Sequence, residues 1–264
     1  NARFGCSPTA CAPCALPNAI AGCSNGACSV ASCRDGFADV NRMAADGCEV
    51  LNNPGRFGAI VLWLKADDGP EADPSGGRIR VWRDRSGRNN DLSQGAPMTQ
   101  PALRSMDIAG HPGVVFDGLD DVLINTAPSG SFAAGISVLA VVKPTTSPPD
   151  NVIFAVDVPG CNTAVFGIQN GLNSYFWRDG YVIGMGGIVV GVQQSLATVV
   201  APDGNLTLWR NGTTVMGGRS QGCDRTGATM FSLGADTRSP PRNYSPMSLG
   251  EFMVYGEPLA PNDV

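Results

Sequence analysis

From about residue 57 onward, apolar residues arrive in short runs rich in Val, Ile, Leu and aromatics, punctuated by Gly, Pro, Asn and Asp. Strand side chains alternate between two faces, so short runs bounded by turn residues predict strands in place of helices. The pattern predicts strands at 59–64, 80–83, 114–116, 122–125, 136–143, 152–156, 164–169, 174–177, 196–200, 205–210, 213–216, 230–233 and 250–255. The sharpest local signal is 205–216, two extended runs joined by Asn211-Gly212, a pair that tolerates the positive φ angles of a type I′ hairpin turn. A second compact unit is 114–123, where two apolar runs flank Asp117-Gly118 and are followed by Asp120 and Asp121. Helical periodicity is almost absent. The exception is the end, where Leu259, Pro261 and Asp263 read as a helix start. Many short strands at regular spacing predict an all-β sandwich.

The first 52 residues follow another rule. Seven of the nine cysteines stand there, at 6, 11, 14, 23, 28, 33 and 48, among Ala, Ser, Gly, Pro and Asn with little apolar periodicity. Such a segment cannot bury enough surface to order itself without cross-links, which predicts disulfides, an oxidising compartment and hence a secreted or cell-surface protein. The chain therefore divides into a disulfide-bonded module at 1–52 and a β domain at 57–264, separated near Asn52-Asn53-Pro54-Gly55. Cys11-x-x-Cys14 alone would suit a metal or redox pair, but no second such motif follows and His111 is the only histidine. His111, between Gly110 and Pro112, reads as a loop residue at a strand entry. Seven is an odd count, so one cysteine pairs elsewhere, stays free or bonds outside the chain. Cys161 and Cys223, each beside a glycine in a turn-like stretch, are expected to pair.

Charge removes two classes of partner. A pI near 4.8, a net charge of −5 and only two lysines, Lys65 and Lys143, leave no basic surface for nucleic acid. The longest nearly uncharged apolar window, 181–192, falls well short of the roughly 20 residues that cross a bilayer. The chain opens at Asn1 without a basic-then-apolar leader, as a processed product or an excerpt would.

Two stretches resemble known families. Residues 23–49, with Cys23, Cys28, Cys33 and the closing Asp46-Gly47-Cys48-Glu49, resemble short cysteine-rich modules of secreted myxobacterial proteins, which usually carry a cysteine where Val40 stands. The resemblance implies that Cys48 has lost its usual partner. In the larger domain, Trp82-Arg83-Asp84-Arg85-Ser86-Gly87-Arg88-Asn89-Asn90-Asp91-Leu92, then Pro112 to Asp121, then the Asn-Gly hairpin, then Leu249 to Tyr255, are together similar to the laminin-G-like branch of the concanavalin A-like superfamily. That resemblance implies a two-sheet antiparallel jelly roll, a rim calcium in many members, a closing helix that this chain lacks, and roles in glycan or protein binding and adhesion. Glycosidases of this superfamily set carboxylates on one strand face as Glu-x-Asp-x-Glu. The glutamates here, Glu49, Glu71, Glu251 and Glu257, have no such neighbourhood, which argues against catalysis. Gly218-Arg219-Ser220-Gln221-Gly222 fits G-x-S-x-G but lacks the strand–turn–helix setting and a later histidine, and is read as accidental.

Candidate chemistry is then of two kinds. Asp117, Asp120 and Asp121, with Asp67 and Asp68, form the densest supply of oxygen ligands, and calcium is the cation they would suit; Asp also caps turns by accepting backbone N–H bonds, as Asp84, Asn89 and Asn90 are read to do. Tyr175, Trp177, Arg178, Asp179 and Tyr181 combine aromatic rings with planar polar groups, the pairing that recognises a sugar. Trp63, Trp82 and Trp209 lie in stronger strand contexts and are expected in the core. These residues predict a non-catalytic protein that binds a glycan or a surface protein, with self-assembly into an extracellular structure as the alternative and polysaccharide cleavage as a third reading.

Overall fold

The computed structural model describes residues 6, 13–34, 37–38, 44–45, 47–48, 50–51, 54, 59–74, 77–146, 150–157, 164–169, 173–177, 181–183, 186–219, 227–236 and 241–264; at 38, 50–51, 169, 173, 175–177 and 181–183 only the backbone is described. The chain forms two units, Asn1–Gly58 and Ala59–Val264, so the break falls at Gly58.

In the first unit, β1 (Ala19–Ser24) and β2 (Ala27–Cys33) form an antiparallel hairpin. Asn25 and Gly26 turn it with φ of 50° and 78°, both positive as a type I′ turn requires. A second small ladder joins β3 (Phe37–Ala38) to β4 (Val50–Leu51). Three disulfides, Cys6–Cys23, Cys14–Cys28 and Cys33–Cys48, hold the unit with Cα separations of 5.4, 5.7 and 5.9 Å. Cys48 therefore has a partner, and the odd member of the seven is Cys11, outside the described residues. Gly47 has φ 80°, and a Cβ there would lie 2.2 Å from the Pro17 carbonyl oxygen, which is why glycine precedes the buried Cys48.

The second unit is all-β: β5 (Ile60–Lys65), β6 (Pro70–Ala72), β7 (Ile79–Trp82), β8 (Leu92–Ser93), β9 (Ala102–Ile108), β10 (His111–Asp117), β11 (Leu123–Asn125), β12 (Ile136–Pro144), β13 (Asp150–Asp157), β14 (Ala164–Gln169), β15 (Asn173–Trp177), β16 (Tyr181–Ile183), β17 (Gln194–Val200), β18 (Asn205–Arg210), β19 (Thr213–Arg219), β20 (Met230–Leu233) and β21 (Pro246–Tyr255). Among the described residues there is no α-helix, and the expected helix start at 259–263 is a single 3-10 turn, Pro261–Asp263.

Two antiparallel sheets make a sandwich. One runs β19-β18-β17-β12-β21-β10-β9. Its organising strand is β21, whose one side pairs with β12 while the other is shared: Pro246 to Leu249 pair with β10, and Glu251 to Tyr255 with β5. Gly250 marks the handover, its carbonyl accepting the Ala66 N–H at 2.8 Å. The other sheet runs β16-β15-β14-β13-β20-β11-β8-β7-β6. Phe154 on β13 meets Phe252 on β21 at 5.0 Å between ring centroids and Phe231 on β20 at 5.5 Å, so aromatic packing joins sheet to sheet. Trp82, Leu92, Val114, Phe116 and Leu233 fill the same core.

One half-buried hub ties the loop after β7 to β5. Asp84 accepts the backbone N–H groups of Trp63, Ser86 and Asn90 at 2.9, 2.8 and 2.9 Å. Asn90 then donates to the carbonyls of Val61 and Ser129 at 2.8 and 2.7 Å. The turn-cap reading thus describes Asp84, whereas Asn90 ties its loop to β5 and to Ser129, and Asn89 takes a left-handed φ of 59° beside them.

Candidate functional site

The second sheet has an open cleft on its outer face. Leu92 on β8 pairs with Trp82 on β7, and both are buried in the core. Their neighbours alternate outward: Ser93 pairs with Val81 and with Ile124 on β11. Asp91, Ser93, Gln94, Gly95, Ile124, Asn125 and Thr126 line a hollow of about 340 Å³ there. Its one carboxylate is fixed. Asp91 accepts the Arg83 guanidinium at 2.6 Å and the Asp84 N–H at 2.8 Å. Arg83 is in turn held by both oxygens of Glu71, at 2.7 and 2.9 Å, and Arg80 stands 3.6 Å from Glu71. These bonds to Arg83 hold the Glu71 carboxyl below its ordinary range and push the Arg83 pKa up. The carboxylate of the cleft is therefore paired among the described residues. What it offers a ligand is uncharged: the hydroxyls of Ser93 and Thr126 and the amide of Asn125, whose oxygen also accepts the Ala127 N–H at 2.9 Å, whereas the Gln94 amide is held by the Val122 carbonyl and the Ala96 N–H at 3.4 and 3.0 Å.

The outer face of the first sheet is different in kind. Register aligns Trp63, Met253, Leu139, Ala197 and Trp209 in one row across five strands. Trp63 was expected in the core. Instead it is half-buried on this outer face, its indole N–H donating to Glu251 Oε1 at 2.7 Å and the Lys65 ammonium lying 5.8 Å from its ring. Trp209 is buried, but in a separate outer cluster with Ala197, Val199, Leu139 and Val264. Trp82 alone of the three occupies the main core.

The acids after β10 form a capped turn. Asp117 Oδ1 accepts the N–H groups of Leu119, Asp120 and Asp121 at 2.8, 3.3 and 3.4 Å. Asp121 accepts the Asp117 N–H at 2.9 Å and Arg78 Nη1 at 3.1 Å. Burial pushes the Asp121 carboxyl up to about 6, against the pull of the Asp117 N–H. Carboxylate oxygens of Asp117, Asp120 and Asp121 come within 4.8 Å of one another. Calcium takes six to eight oxygens, and here Arg78 already neutralises Asp121 while three backbone donors occupy one oxygen of Asp117, a donor set that suits a turn better than a calcium cage. Asp67 and Asp68 do not join this group: Asp67 lies 3.5 Å from Lys65, and Asp68 is paired with Arg85.

The aromatic segment falls on β15 and β16. Backbone pairing sets Trp177 opposite Val165 and Tyr181, and Tyr175 opposite Gly167 and Ile183; the side chains of Tyr175, Trp177 and Tyr181, and the whole of Arg178 and Asp179, lie outside the described residues. So do Cys161, Cys223 and Ser220. His111 opens β10, a strand entry as read from its neighbours. The cleft residues escaped the sequence reading. The available signal was Asp91 and Ser93 at period two about the core position Leu92.

No protein-family model matches the sequence, and no curated protein matches it. Solved structures do share the fold. One is a Trypanosoma rangeli sialidase in complex with sialic acid, with a TM-score of 0.57 and 13% identity over 82% of this chain and 33% of that one. Another is the binding domain of botulinum neurotoxin serotype G, with a TM-score of 0.56 and 13% identity over 77% of this chain and 49% of that one. A third is domain 4 of AbnA, a GH43 extracellular arabinanase from Geobacillus stearothermophilus, in complex with arabinotriose, with a TM-score of 0.54 and 17% identity over 77% of this chain and 95% of that one. The chain spans a third of the sialidase and almost all of the arabinanase domain. At such identities the likeness shows the β-sandwich fold alone.

Proposed function

We propose that the sandwich is a laminin-G-like, non-catalytic carbohydrate-recognition module of a secreted or surface-displayed protein, and that its glycan sits in the cleft between β8 and β11. The observation that carries this reading is the wall chemistry: the uncharged hydroxyls of Ser93 and Thr126 and the Asn125 amide beside a paired ion network match a ring of sugar hydroxyls. Support comes from two structures of the same fold that hold saccharides, the sialidase with sialic acid and the arabinanase domain with arabinotriose. Three disulfides support an extracellular setting, and no helix among the described residues is long and apolar enough to cross a membrane.

A glycosidase needs two carboxyl groups free to exchange protons or attack across the scissile bond. Among the described residues the cleft lining holds one carboxylate, Asp91, and both of its oxygens are engaged. Glu251, a carboxylate on the opposite outer face, accepts the Trp63 indole N–H. These engagements support recognition without cleavage. Backbone pairing sets Trp177 in a cross-strand row with Val165, Ala155, Ser232, Ile124 and Ser93, of which Val165, Ala155 and Ser232 are buried.

An array of neutral and acidic glycans, run with and without EDTA, tests the reading. We expect retention that EDTA does not change, and a loss of about tenfold in affinity, or about 1.4 kcal/mol, in Ser93→Ala combined with Asn125→Ala. No retained glycan, or undiminished binding in that double variant, would overturn it.

A further inference from the structure

The apolar window 181–192 ends in a turn whose valines the core does not take up. Ile188 is buried in the core, and the chain then turns through Val189-Val190-Gly191-Val192, the Val192 N–H donating to the Val189 carbonyl at 3.3 Å. Gly191, third in the turn, has φ 75°, as a type II turn requires. The turn is pinned from below. The Gly191 N–H donates to the Pro144 carbonyl at 2.8 Å, and the side-chain amide of the buried Gln194 donates to the carbonyls of Val189 and Val192 at 3.3 and 3.4 Å. Thus held, the turn presents Val189, Val190 and Val192, which are 50%, 38% and 49% exposed. A second apolar tip stands at the same end of the first sheet: Leu119, 77% exposed, on the capped turn after β10. Gly118 lies so close to Pro246 that a Cβ there would meet the proline ring at 2.7 Å, the Pro246 carbonyl accepts the Thr145 N–H at 2.9 Å, and Pro144 holds Gly191, so the two turns flank one short bridge. Across β10, β21, β12 and β17 they are three strand spacings apart, about 14 Å. Scattered apolar side chains on a surface are ordinary, but four on two fixed protrusions mark a contact surface.

We propose that this rim docks on a lipid bilayer, with Leu119 and the three valines entering the boundary between headgroups and acyl chains while the exposed Thr145 and Thr146 stay at headgroup level. Two features favour a bilayer over a folded partner. The tips are separate and protruding, so a protein would need a matching hollow for each at that spacing, whereas a fluid bilayer accepts both. The window that supplies the valines carries no charged residue, so its entry desolvates no ion. Nearby charges then select the lipid. Asp117 and Asp120 flank Leu119, while Arg78 is paired with Asp121, Lys143 with Asp107 and Arg242 with Asp236. Among the described residues the rim therefore has no basic cluster to draw anionic lipid, and it fits a zwitterionic surface.

The test is flotation of the full chain with vesicles of phosphatidylcholine alone and of phosphatidylcholine mixed with phosphatidylglycerol. The protein should float with both, no more strongly on the anionic vesicles, and high salt should not release it. Val189→Ser combined with Val190→Ser and Val192→Ser should weaken binding about tenfold or more. Leu119→Ser should weaken it less, and Met106→Ser, at an 80% exposed position toward the other end of β10, should leave it unchanged. Val190→Trp reports the insertion directly, because brominated lipid should quench its fluorescence. No flotation on neutral vesicles, flotation that needs anionic lipid and is lost in salt, an equal loss in Met106→Ser, or a Val190→Trp signal untouched by brominated lipid would overturn the proposal. Self-association that the triple valine variant abolishes would also overturn it, making the rim a contact between copies of the chain.

Discussion

The two units are held by opposite means. In Ala59–Val264 the two sheets press Trp82, Phe116, Phe154, Phe166, Phe231 and Phe252 into one core, each fully buried. Burying a side chain of that size stabilises by roughly 1.5–3 kcal/mol, so a handful of them outweighs any single hydrogen bond or ion pair in the domain. In Asn1–Gly58 the described strands are mostly exposed on both faces, and covalent bonds stand where a core would be. The difference follows from composition. A segment built of Ala, Ser, Gly and Asn has little apolar area to remove from water, and cross-links stabilise it mainly by shrinking the ensemble of its unfolded state.

The largest effect expected from breaking this contrast is in the core. Phe154→Ala removes the ring that touches both Phe231 and Phe252 and should cost about 4 kcal/mol, lowering the melting point of the sandwich by roughly 10 °C. Hydrogen-exchange protection of the β1–β2 hairpin should not change. If the hairpin lost protection in step with the sandwich, the two units would share one cooperative transition.

The converse variant is Cys33→Ser with Cys48→Ser. A bridge closing 15 residues is worth about 3 kcal/mol in the chain-entropy account, and its removal should fall wholly on the first unit. Protection around Cys48 and Pro17 should collapse while the melting point of the sandwich stays in place. A falling melting point for the sandwich would show that its stability depends on the cysteine-rich unit.

A smaller effect is expected at Asp84, where the sandwich does borrow polar bonds. Asp84→Asn keeps the size of the side chain but turns one acceptor into a donor that faces backbone N–H groups, which should cost about 2 kcal/mol, read as a shift in the denaturation midpoint. An unchanged midpoint would mean that the β7–β8 loop can release β5 without cost.

How much of this was legible beforehand depends on which force decides each element. Strands with both faces buried or cleanly alternating, such as β13, β14, β18 and β20, were readable because burial imposes a pattern on the chain. β9 was not. It is an edge strand with four consecutive exposed residues, Leu103 to Met106, so no face of it had to be apolar. Trp63 was misplaced for a related reason: an aromatic residue in a strand announces a buried face only when a second sheet covers that face, and here a glutamate on β21 takes its N–H instead. The cleft was invisible because it joins β8 and β11, neighbours in the sheet but some thirty residues apart in the chain, through small polar side chains that each look like loop residues. Asp117 and Asp121 were found by their density, but their partners, Arg78 above all, come from a distant strand entry that no local spacing reveals.

pH gives the finest separation of the two units, through Asp121. Its folded pKa is raised to about 6 chiefly by burial, above the roughly 3.9 of an exposed aspartate. Below pH 4 both states hold the proton. Between about 4 and 6 the unfolded chain releases it first, so the folded state binds more protons and stability falls as pH rises, levelling off above 6. Glu71 and Asp107 act with the opposite sign. Arg83 holds Glu71 below the ordinary range, and Lys143 does so for Asp107 despite its burial, so what they contribute is lost as pH falls. The difference between wild type and Asp121→Asn isolates one group from the others. Allowing for Arg78 and for partial contact with solvent, the wild-type advantage over the variant should shrink by about 1 kcal/mol from pH 4 to pH 7, measured by urea denaturation of the sandwich. A wild-type advantage that grows over that range would show that the pairing with Arg78 outweighs burial, and would make the Asp117–Asp121 turn an ion-pair clasp on the domain in place of a buried cap.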